Sequence, residues 1–149
     1  MDDLHEVDAW LDALLGQLEP EARTKMLREV ARDVRRIQQA NITAQRAPDG
    51  TAWEPRRVTA RTKPGRIRSK MFIKIKTVKF LKVKSDIRSA DVYFIRSTQR
   101  LAQVHHYGLR EKINAHGPGV KYKQRQLLGF DVKIEENISE KIVRWIMKC

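Results

Sequence analysis

The stretch that decides the fold class is VKFLKVKSDIRSADVYFIRS, residues 78–97. Two runs rich in β-branched and aromatic residues, VKFLKVKSD and ADVYFIRS, surround the polar segment SDIRSA. This arrangement is typical of a β-hairpin. Alternation of lysines with apolar residues predicts one basic and one apolar sheet face. The predicted faces are Lys74, Lys76, Lys82 and Lys84 on one side, and Ile73, Ile75, Leu81 and Val83 on the other.

The residues just before the hairpin allow two interpretations. Met71 to Ile75 fits either a short helix or a first strand. The two-residue alternation slips between Lys76 and Val78, which indicates a bulge or an element boundary there.

Helical periodicity predicts two helices at the N-terminal end, over residues 2–18 and from Pro20 to about Ile42. Asp2 or Asp3 is a candidate N-cap of the first helix. We expect the two helices to pack as a hairpin, with packing on another subunit as the alternative. The apolar stripes are Val7, Trp10, Leu11, Leu14, Leu15 and Leu18 in the first helix, and Met26, Leu27, Val30, Val34, Ile37 and Asn41 in the second.

A last helix is predicted from about Asp131, a good N-cap, to Lys148. Its apolar stripe is Ile134, Ile138, Ile142, Trp145 and Ile146. The predicted fold is therefore α+β, with an N-terminal helical pair, a long basic loop, a small antiparallel sheet and a C-terminal helix. We expect one domain over residues 1–149, made of a helical part (1–45), a basic loop or arm (46–66), and the sheet with the last helix (67–149).

The segment RAPDGTAWEPRRVTARTKPGR, residues 46–66, contains prolines and glycines that break any regular element. Pro48-Asp49-Gly50 is a turn sequence, because proline presets one backbone dihedral and glycine tolerates a positive one. Trp53 is the large apolar residue of this segment, and we expect it to anchor the loop to the core or to a partner.

Charge is distributed unevenly along the chain, which has a net charge of +13. Residues 1–20 carry six acidic residues and no Lys or Arg, whereas residues 56–100 carry fifteen basic and two acidic residues. Such a basic block suits nucleic acid or an acidic protein surface; the alternative is a solvated or lumen-facing patch without a specific ligand. The candidate DNA-facing or partner-facing residues are Arg56, Arg57, Arg61, Lys63, Arg66, Arg68 and Lys70.

Three of the four histidines lie in LAQVHHYGLREKINAHGPG, residues 101–119. His105 and His106 are adjacent, so their side chains diverge on a helix or a strand, and they make a poor pair of ligands for one metal. The pattern does not reproduce an HNH nuclease centre. Cys149 is the single cysteine, and no phosphate-binding glycine motif is present. We therefore expect no metal, no cofactor and no enzymatic activity.

Three short motifs, taken together, resemble a known family. They are Pro48-Asp49-Gly50 followed by Trp53, then Val104-His105-His106-Tyr107-Gly108-Leu109, then Arg125 with Leu127-Leu128-Gly129-Phe130. Their order and spacing resemble the tail completion proteins of contractile-tailed phages, also called phage virion morphogenesis proteins, over nearly the whole chain. One departure is Tyr122-Lys123-Gln124-Arg125, which lacks the proline that the family has before the arginine.

The resemblance implies a non-enzymatic virion protein of the head–tail junction, or neck, that completes the tail so that it attaches to a DNA-filled head. The implied partners are other copies in a ring, the tail terminator, tail tube and head connector proteins, and alternatively DNA in the lumen, bound without sequence specificity. The resemblance also implies that no membrane is involved and that assembly takes place in the host cytoplasm. The implied assembly residues are Trp53, His105, His106, Tyr107, Gly108, Arg125, Leu128 and Gly129.

Within that resemblance, His105 or His106 is expected to pack beside Tyr107 and to bind backbone groups. Gly108 is expected to supply a tight turn or a positive dihedral, and Arg125 to bind carbonyls or an acid of a neighbour. Two other functional classes remain open: a small basic nucleic-acid-binding protein and a metal-dependent nuclease. Salt-dependent DNA binding would favour the first, and nicking that is lost on His106→Ala would favour the second.

Overall fold

The computed structural model describes residues 2–16, 18–56, 70–112 and 116–148. Its helices are α1 (Asp2–Leu15), α2 (Pro20–Thr43), α3 (Arg96–Tyr107) and α4 (Val132–Met147), and its strands are β1 (Leu81–Ser85), β2 (Ala90–Phe94), β3 (Arg110–Lys112) and β4 (Gly119–Lys121). The α+β class is confirmed. None of the described helices has the length and apolar content needed to cross a membrane.

Contacts between residues divide the chain into two units. Unit 1 contains residues 1–34, 83–92 and 132–149, and unit 2 contains residues 35–82 and 93–131. The prediction of a single domain over residues 1–149 stays a prediction.

Helix α2 begins at Pro20, as predicted, because a proline at the first helical position removes an N–H that has no partner within the helix. Apart from Ala31, its buried residues follow one row at four-residue spacing, formed by Met26, Val30, Val34, Gln38 and Ile42. The predicted heptad seam differs from this row in its second half, where Ile37 and Asn41 are only partly buried. A row at i±4 is one of the natural ridges of a helix, and here it continues through a buried glutamine.

In unit 1, helix α4 is bound to the first half of α2 by polar side chains. The Trp145 indole donates a hydrogen bond to Glu29 at 2.9 Å. The Lys141 ammonium lies 3.5 Å from Glu29 and 3.4 Å from Asp33. The hydrogen bond from Trp145, together with Lys141, holds the pKa of Glu29 below its usual value. Of the predicted α4 stripe, Ile134 and Ile142 are buried, whereas Ile138, Trp145 and Ile146 are partly buried.

The predicted hairpin is confirmed as strands β1 and β2, which pair in a two-stranded sheet. Asp86 accepts hydrogen bonds from the backbone N–H groups of Arg88 and Ser89, both at 2.7 Å, and so fixes the turn. Leu81 is fully buried, and Phe94 is buried at the far end of β2.

Residues 71–80 form consecutive turns, so neither the helix nor the strand considered for Met71–Ile75 is present. The side chain of Gln45 explains why, since it accepts from the Met71 N–H at 2.7 Å and donates to the Met71 carbonyl at 2.8 Å. A regular element would use those backbone groups itself. Phe72 also has a φ of 65°, outside both helix and strand geometry. The predicted alternation of faces therefore applies only within β1, and the element boundary falls at Leu81.

The structure contains helix α3 and the ribbon of β3 and β4, which the predicted order of elements lacked. The sequence of α3, RSTQRLAQVHHY, has too few apolar residues for a clear stripe, and its Leu101 is exposed. The helix ends at Gly108, whose φ of 65° is left-handed, and the Leu109 N–H donates to the Val104 carbonyl at 2.8 Å. This pattern is the Schellman motif, which favours glycine at the left-handed position. Strand β3 then pairs antiparallel with β4.

Candidate assembly site

The three sequence motifs come together in unit 2. The last turn of α3 lies against the extended segment 122–130, and two backbone hydrogen bonds join them. The Arg125 N–H donates to the His105 carbonyl at 2.7 Å, and the Tyr122 N–H donates to the Leu109 carbonyl at 3.1 Å. We define the loop cluster as residues 45–56, 104–109 and 122–130, which contain the three motifs.

The two adjacent histidines have different environments. His105 is 7% exposed, and its ring makes edge contacts with Phe72 and Tyr122 at centroid distances of 4.9 and 4.8 Å. Burial, helped by the nearby Arg125 charge, lowers the pKa of His105. An uncharged imidazole therefore fits this position, because nothing in its described surroundings favours a second positive charge.

His106 takes the role expected beside Tyr107, with ring centroids 4.6 Å apart. Its Nδ1 accepts a hydrogen bond from the Leu127 N–H at 3.2 Å. Accepting at Nδ1 requires the neutral ring, and burial also lowers the pKa of His106.

Arg125 ties the third motif to the first. Its guanidinium is buried and donates to the carbonyl oxygens of Glu54 and Pro55 at 3.0 and 3.2 Å. Burial lowers the pKa of Arg125. Of the two partners expected for this arginine, the structure shows carbonyls within the same chain. A planar fork that bridges two successive carbonyls fixes the path of the backbone after Trp53.

Trp53 is buried and anchors the proline-aspartate-glycine loop within the chain. Its indole N–H donates to the Gln126 carbonyl at 3.0 Å, and its ring makes an edge contact with Phe72 at 5.5 Å. At the tip of the loop, Gly50 has a φ of 90° and Asp49 accepts a hydrogen bond from the Thr51 N–H at 2.9 Å. This hydrogen bond also holds the pKa of Asp49 below its usual value.

Gly129 lies where two segments approach closely. A Cβ there would come within 2.6 Å of the Gln126 amide nitrogen and 3.1 Å of Pro48. The buried Gln38 of α2 donates its amide hydrogen to the Gly129 carbonyl. Pro48 of the first motif therefore lies close to Gly129 of the third, whereas the Gln126 side-chain amide is a flexible group that could move aside. Leu128, beside Gly129, is partly buried.

Two aromatic residues of the motifs point outward. Tyr107 is 62% exposed and Phe130 is 72% exposed, although both adjoin backbone that is firmly held. Exposed aromatic side chains on fixed backbone are the usual anchors of protein interfaces. Of the eight implied assembly residues, Tyr107 is thus the one with an exposed side chain, while Trp53, His105 and Arg125 contact their own chain.

Two of the seven candidate DNA-facing or partner-facing residues lie among the described residues. Arg56 and Lys70 are exposed, and the Lys70 ammonium donates to the Thr43 carbonyl at 3.1 Å. The other proposed members, Arg57, Arg61, Lys63, Arg66 and Arg68, lie outside the described residues. Across the described part of the chain, no group of three or more His, Cys, Asp or Glu could hold a metal ion.

Comparison with known proteins shows which family the chain belongs to. The model of the phage virion morphogenesis family matches residues 2–147. The chain belongs to this family. It is also similar to tail completion protein S of Escherichia phage P2, with 35% identity over 143 residues that cover 93% of this chain and 95% of that protein. No solved structure matches the chain.

Several residues that hold this family member's loop cluster were not found by sequence reasoning. The burial of Gln38 could have been predicted from the sequence, because Gln38 continues the four-residue row of apolar residues on α2. No sequence pattern indicates the roles of Gln45 and Phe72, because isolated glutamine and phenylalanine residues do not indicate long-range contacts. Both have positive φ values, 58° and 65°, which is uncommon for residues other than glycine.

Proposed function

We propose that this chain is a structural virion protein of the phage head–tail junction, or neck, that completes the tail and allows it to attach to the DNA-filled head. The observation that carries the proposal is the convergence of all three family motifs on one loop cluster. The similarity to a tail completion protein over 93% of the chain supports the same role.

The loop cluster supports a structural role because its polar groups bind one another. Arg125 binds two carbonyls, His106 accepts a backbone N–H, and Trp53 donates to a third carbonyl. Groups held in this way give the loops a defined shape, and they are not presented to a substrate. We propose accordingly that the chain has no enzymatic activity and requires no cofactor.

The proposed partners are other copies in a ring and the neighbouring tail terminator, tail tube and head connector proteins. The buried motif residues Trp53, His105 and Arg125 contribute to assembly indirectly, by fixing the loops that carry exposed groups. Gly108 and Gly129 contribute by allowing close approach of the backbone. The chain is proposed to fold as one tail-completion domain and to reside in the virion after assembly in the host cytoplasm.

The test is deletion of the reading frame in the phage genome that encodes the chain, followed by negative-stain electron microscopy of the lysate. Full heads separate from tails with unfinished ends are expected. Expression of the wild-type chain from a plasmid should restore joined particles. The Phe130→Ser variant should restore fewer joined particles, although its unfolding temperature should equal that of the wild-type chain. Normal virions from the deletion would refute the proposal.

A small basic DNA-binding protein is the second candidate, and the net charge of +13 favours it. Binding through phosphate contacts would weaken steeply between about 50 and 200 mM salt. Electrophoretic mobility shifts over that salt range, together with normal virions from the deletion, would establish this role instead. The proposed basic residues Arg56 and Lys70 are exposed, although the Lys70 ammonium also donates to the Thr43 carbonyl.

A further inference from the structure

A pocket of about 430 Å³ lies where the end of α3 faces the chain after β4. Its lining residues are Tyr107, Gly108, Lys121, Tyr122, Lys123 and Gln124. The volume falls within the roughly 300–1,000 Å³ of pockets that hold small ligands, and it therefore admits a large side chain.

The wall of this pocket has a fixed position. Gly108 approaches the backbone of Gln124 so closely that a Cβ would come within 2.9 Å of the Gln124 nitrogen. The hydrogen bond from the Tyr122 N–H to the Leu109 carbonyl holds the two segments together. The pocket is consequently formed before any partner arrives, which lowers the cost of ordering on binding.

The chemistry of the pocket selects an aromatic group accompanied by negative charge. Tyr107 and Tyr122 supply ring surfaces, and Lys121 and Lys123 supply two exposed ammonium groups. No acidic residue is among its lining residues. An indole beside a carboxylate would satisfy both features, since lysines pair with the carboxylate and lie favourably over an aromatic face.

Helix α1 presents such a combination. Glu6 and Trp10 are four residues apart, so they lie on the same face of the helix, and both are exposed. Trp10 is 55% exposed, which is unusual for so large an apolar side chain. The acidic charge of residues 1–20 complements the lysines of the pocket, whereas it would repel a nucleic acid.

We propose that the pocket of one copy receives Trp10 and Glu6 of a second copy. Each copy carries both surfaces, the exposed Glu6 and Trp10 on α1 and the pocket in unit 2. Because the two surfaces differ, the contact is heterologous and propagates from copy to copy until a ring closes. This inference rests on the proposed function, in which copies of the chain assemble at the junction.

The test is sedimentation velocity of the full-length chain at several concentrations. Two double variants each remove one side of the contact: Glu6→Lys with Trp10→Ala, and Lys121→Glu with Lys123→Glu. Each is expected to weaken self-association roughly 30-fold or more, equivalent to about 2 kcal/mol for loss of an interface anchor. Circular dichroism melting establishes that both variants fold like the wild type.

The matched control is Asp8→Lys. It makes the same change of charge as Glu6→Lys, but two residues further along α1 it lies on the opposite face from Trp10. Asp8 is exposed, and this variant is expected to associate like the wild type. Equal weakening by Glu6→Lys and Asp8→Lys would mean that net charge alone drives association, and it would overturn the proposal.

Mixing the two double variants in equal amounts is the decisive measurement. One variant retains the helix face and the other retains the pocket, so the mixture should form a complex of two copies and nothing larger. A mixture that stays monomeric overturns the proposal, as does a wild-type chain that remains monomeric up to about 100 μM. Normal virions from the deletion would instead refute the proposed function, which this measurement does not address.

A single-stranded oligothymidine is the probe for the competing occupant, because aromatic and basic side chains together also suit unstacked bases. If the pocket takes a protein copy, oligothymidine binding is absent or is unchanged by Lys121→Glu with Lys123→Glu. Binding that those substitutions abolish, in a chain that does not self-associate, overturns the proposal in favour of nucleic acid.

Discussion

Replacing Gly108 by alanine tests whether the end of α3 is held against the segment after β4. Gly108 has a φ of 65°, where a residue with a Cβ costs roughly 1–2 kcal/mol. The added Cβ would also lie 2.9 Å from the Gln124 nitrogen and 3.1 Å from its Cα. Both are backbone atoms of Gln124, so they cannot move away without displacing the chain. Overpacking of this kind costs about 1–3 kcal/mol.

Loss of glycine's flexibility in the unfolded chain offsets roughly 0.4–1 kcal/mol of these costs. The net expectation for Gly108→Ala is destabilisation by about 2–4 kcal/mol. For a chain of this length, that corresponds to a fall of roughly 5–12 °C in the unfolding temperature. Urea unfolding followed by tryptophan fluorescence measures the free energy, and thermal unfolding followed by circular dichroism provides the second reading.

Gly50→Ala is the matched control for this measurement. Gly50 has a φ of 90°, so the substitution is strained in the same sense, yet no atom lies within 4 Å of the added Cβ. We expect a loss of about 1 kcal/mol or less. Equal losses for the two variants would refute the argument, because they would show that the approach of Gln124 contributes nothing beyond backbone strain.

Three further outcomes follow from the loop cluster. Trp53→Phe should cost about 1–3 kcal/mol in urea unfolding, because an aromatic ring is retained while the part-buried Gln126 carbonyl loses its donor; an unchanged midpoint would contradict the anchor. Arg125→Lys should cost about 1–2 kcal/mol, since an ammonium does not reproduce the fork that binds two carbonyls; lysine with wild-type stability would show that charge alone suffices. The contribution of His105 and His106 to the free energy of unfolding should be fully present above pH 6.5 and should fall as the pH drops below it, because their lowered pKa values mean that the unfolded chain binds more protons. The fall should be at most about 1.4 kcal/mol per pH unit for each histidine. A free energy of unfolding that stays constant between pH 6.5 and 5 would contradict this.

The sequence predicted elements whose own periodicity is strong. Helices α2 and α4 follow clear apolar rows, and the β1–β2 hairpin shows alternation around a polar turn. Helix α3 was missed because its buried side includes Thr98 and His105, so its pattern of apolar residues is weak. Amphipathic patterning detects a helix only where burial and apolar character coincide.

The turns at residues 71–80 could not be predicted from the sequence for a different reason. Their conformation depends on Gln45, a residue that lies 26 positions away from Met71 in the chain. No local pattern contains that information, and the β-branched residues around Ile73 and Ile75 favour a regular element. The family resemblance named three segments that the structure brings together in the loop cluster, but it did not reveal that Arg125 binds carbonyls of its own chain.

The way in which the loop cluster is held bears on how a junction protein would work. Apolar packing alone would allow loops without regular structure to adopt several arrangements of similar energy, whereas directional hydrogen bonds from Arg125, His106 and Trp53 specify one. Exposed residues of the loop cluster, such as Tyr107 at the end of α3 and Phe130, therefore have defined positions in the free chain. Little ordering entropy then remains to be lost when copies or neighbouring proteins dock. Under the proposed function, the buried polar residues of the motifs contribute to assembly through the positions that they impose on the exposed aromatic residues.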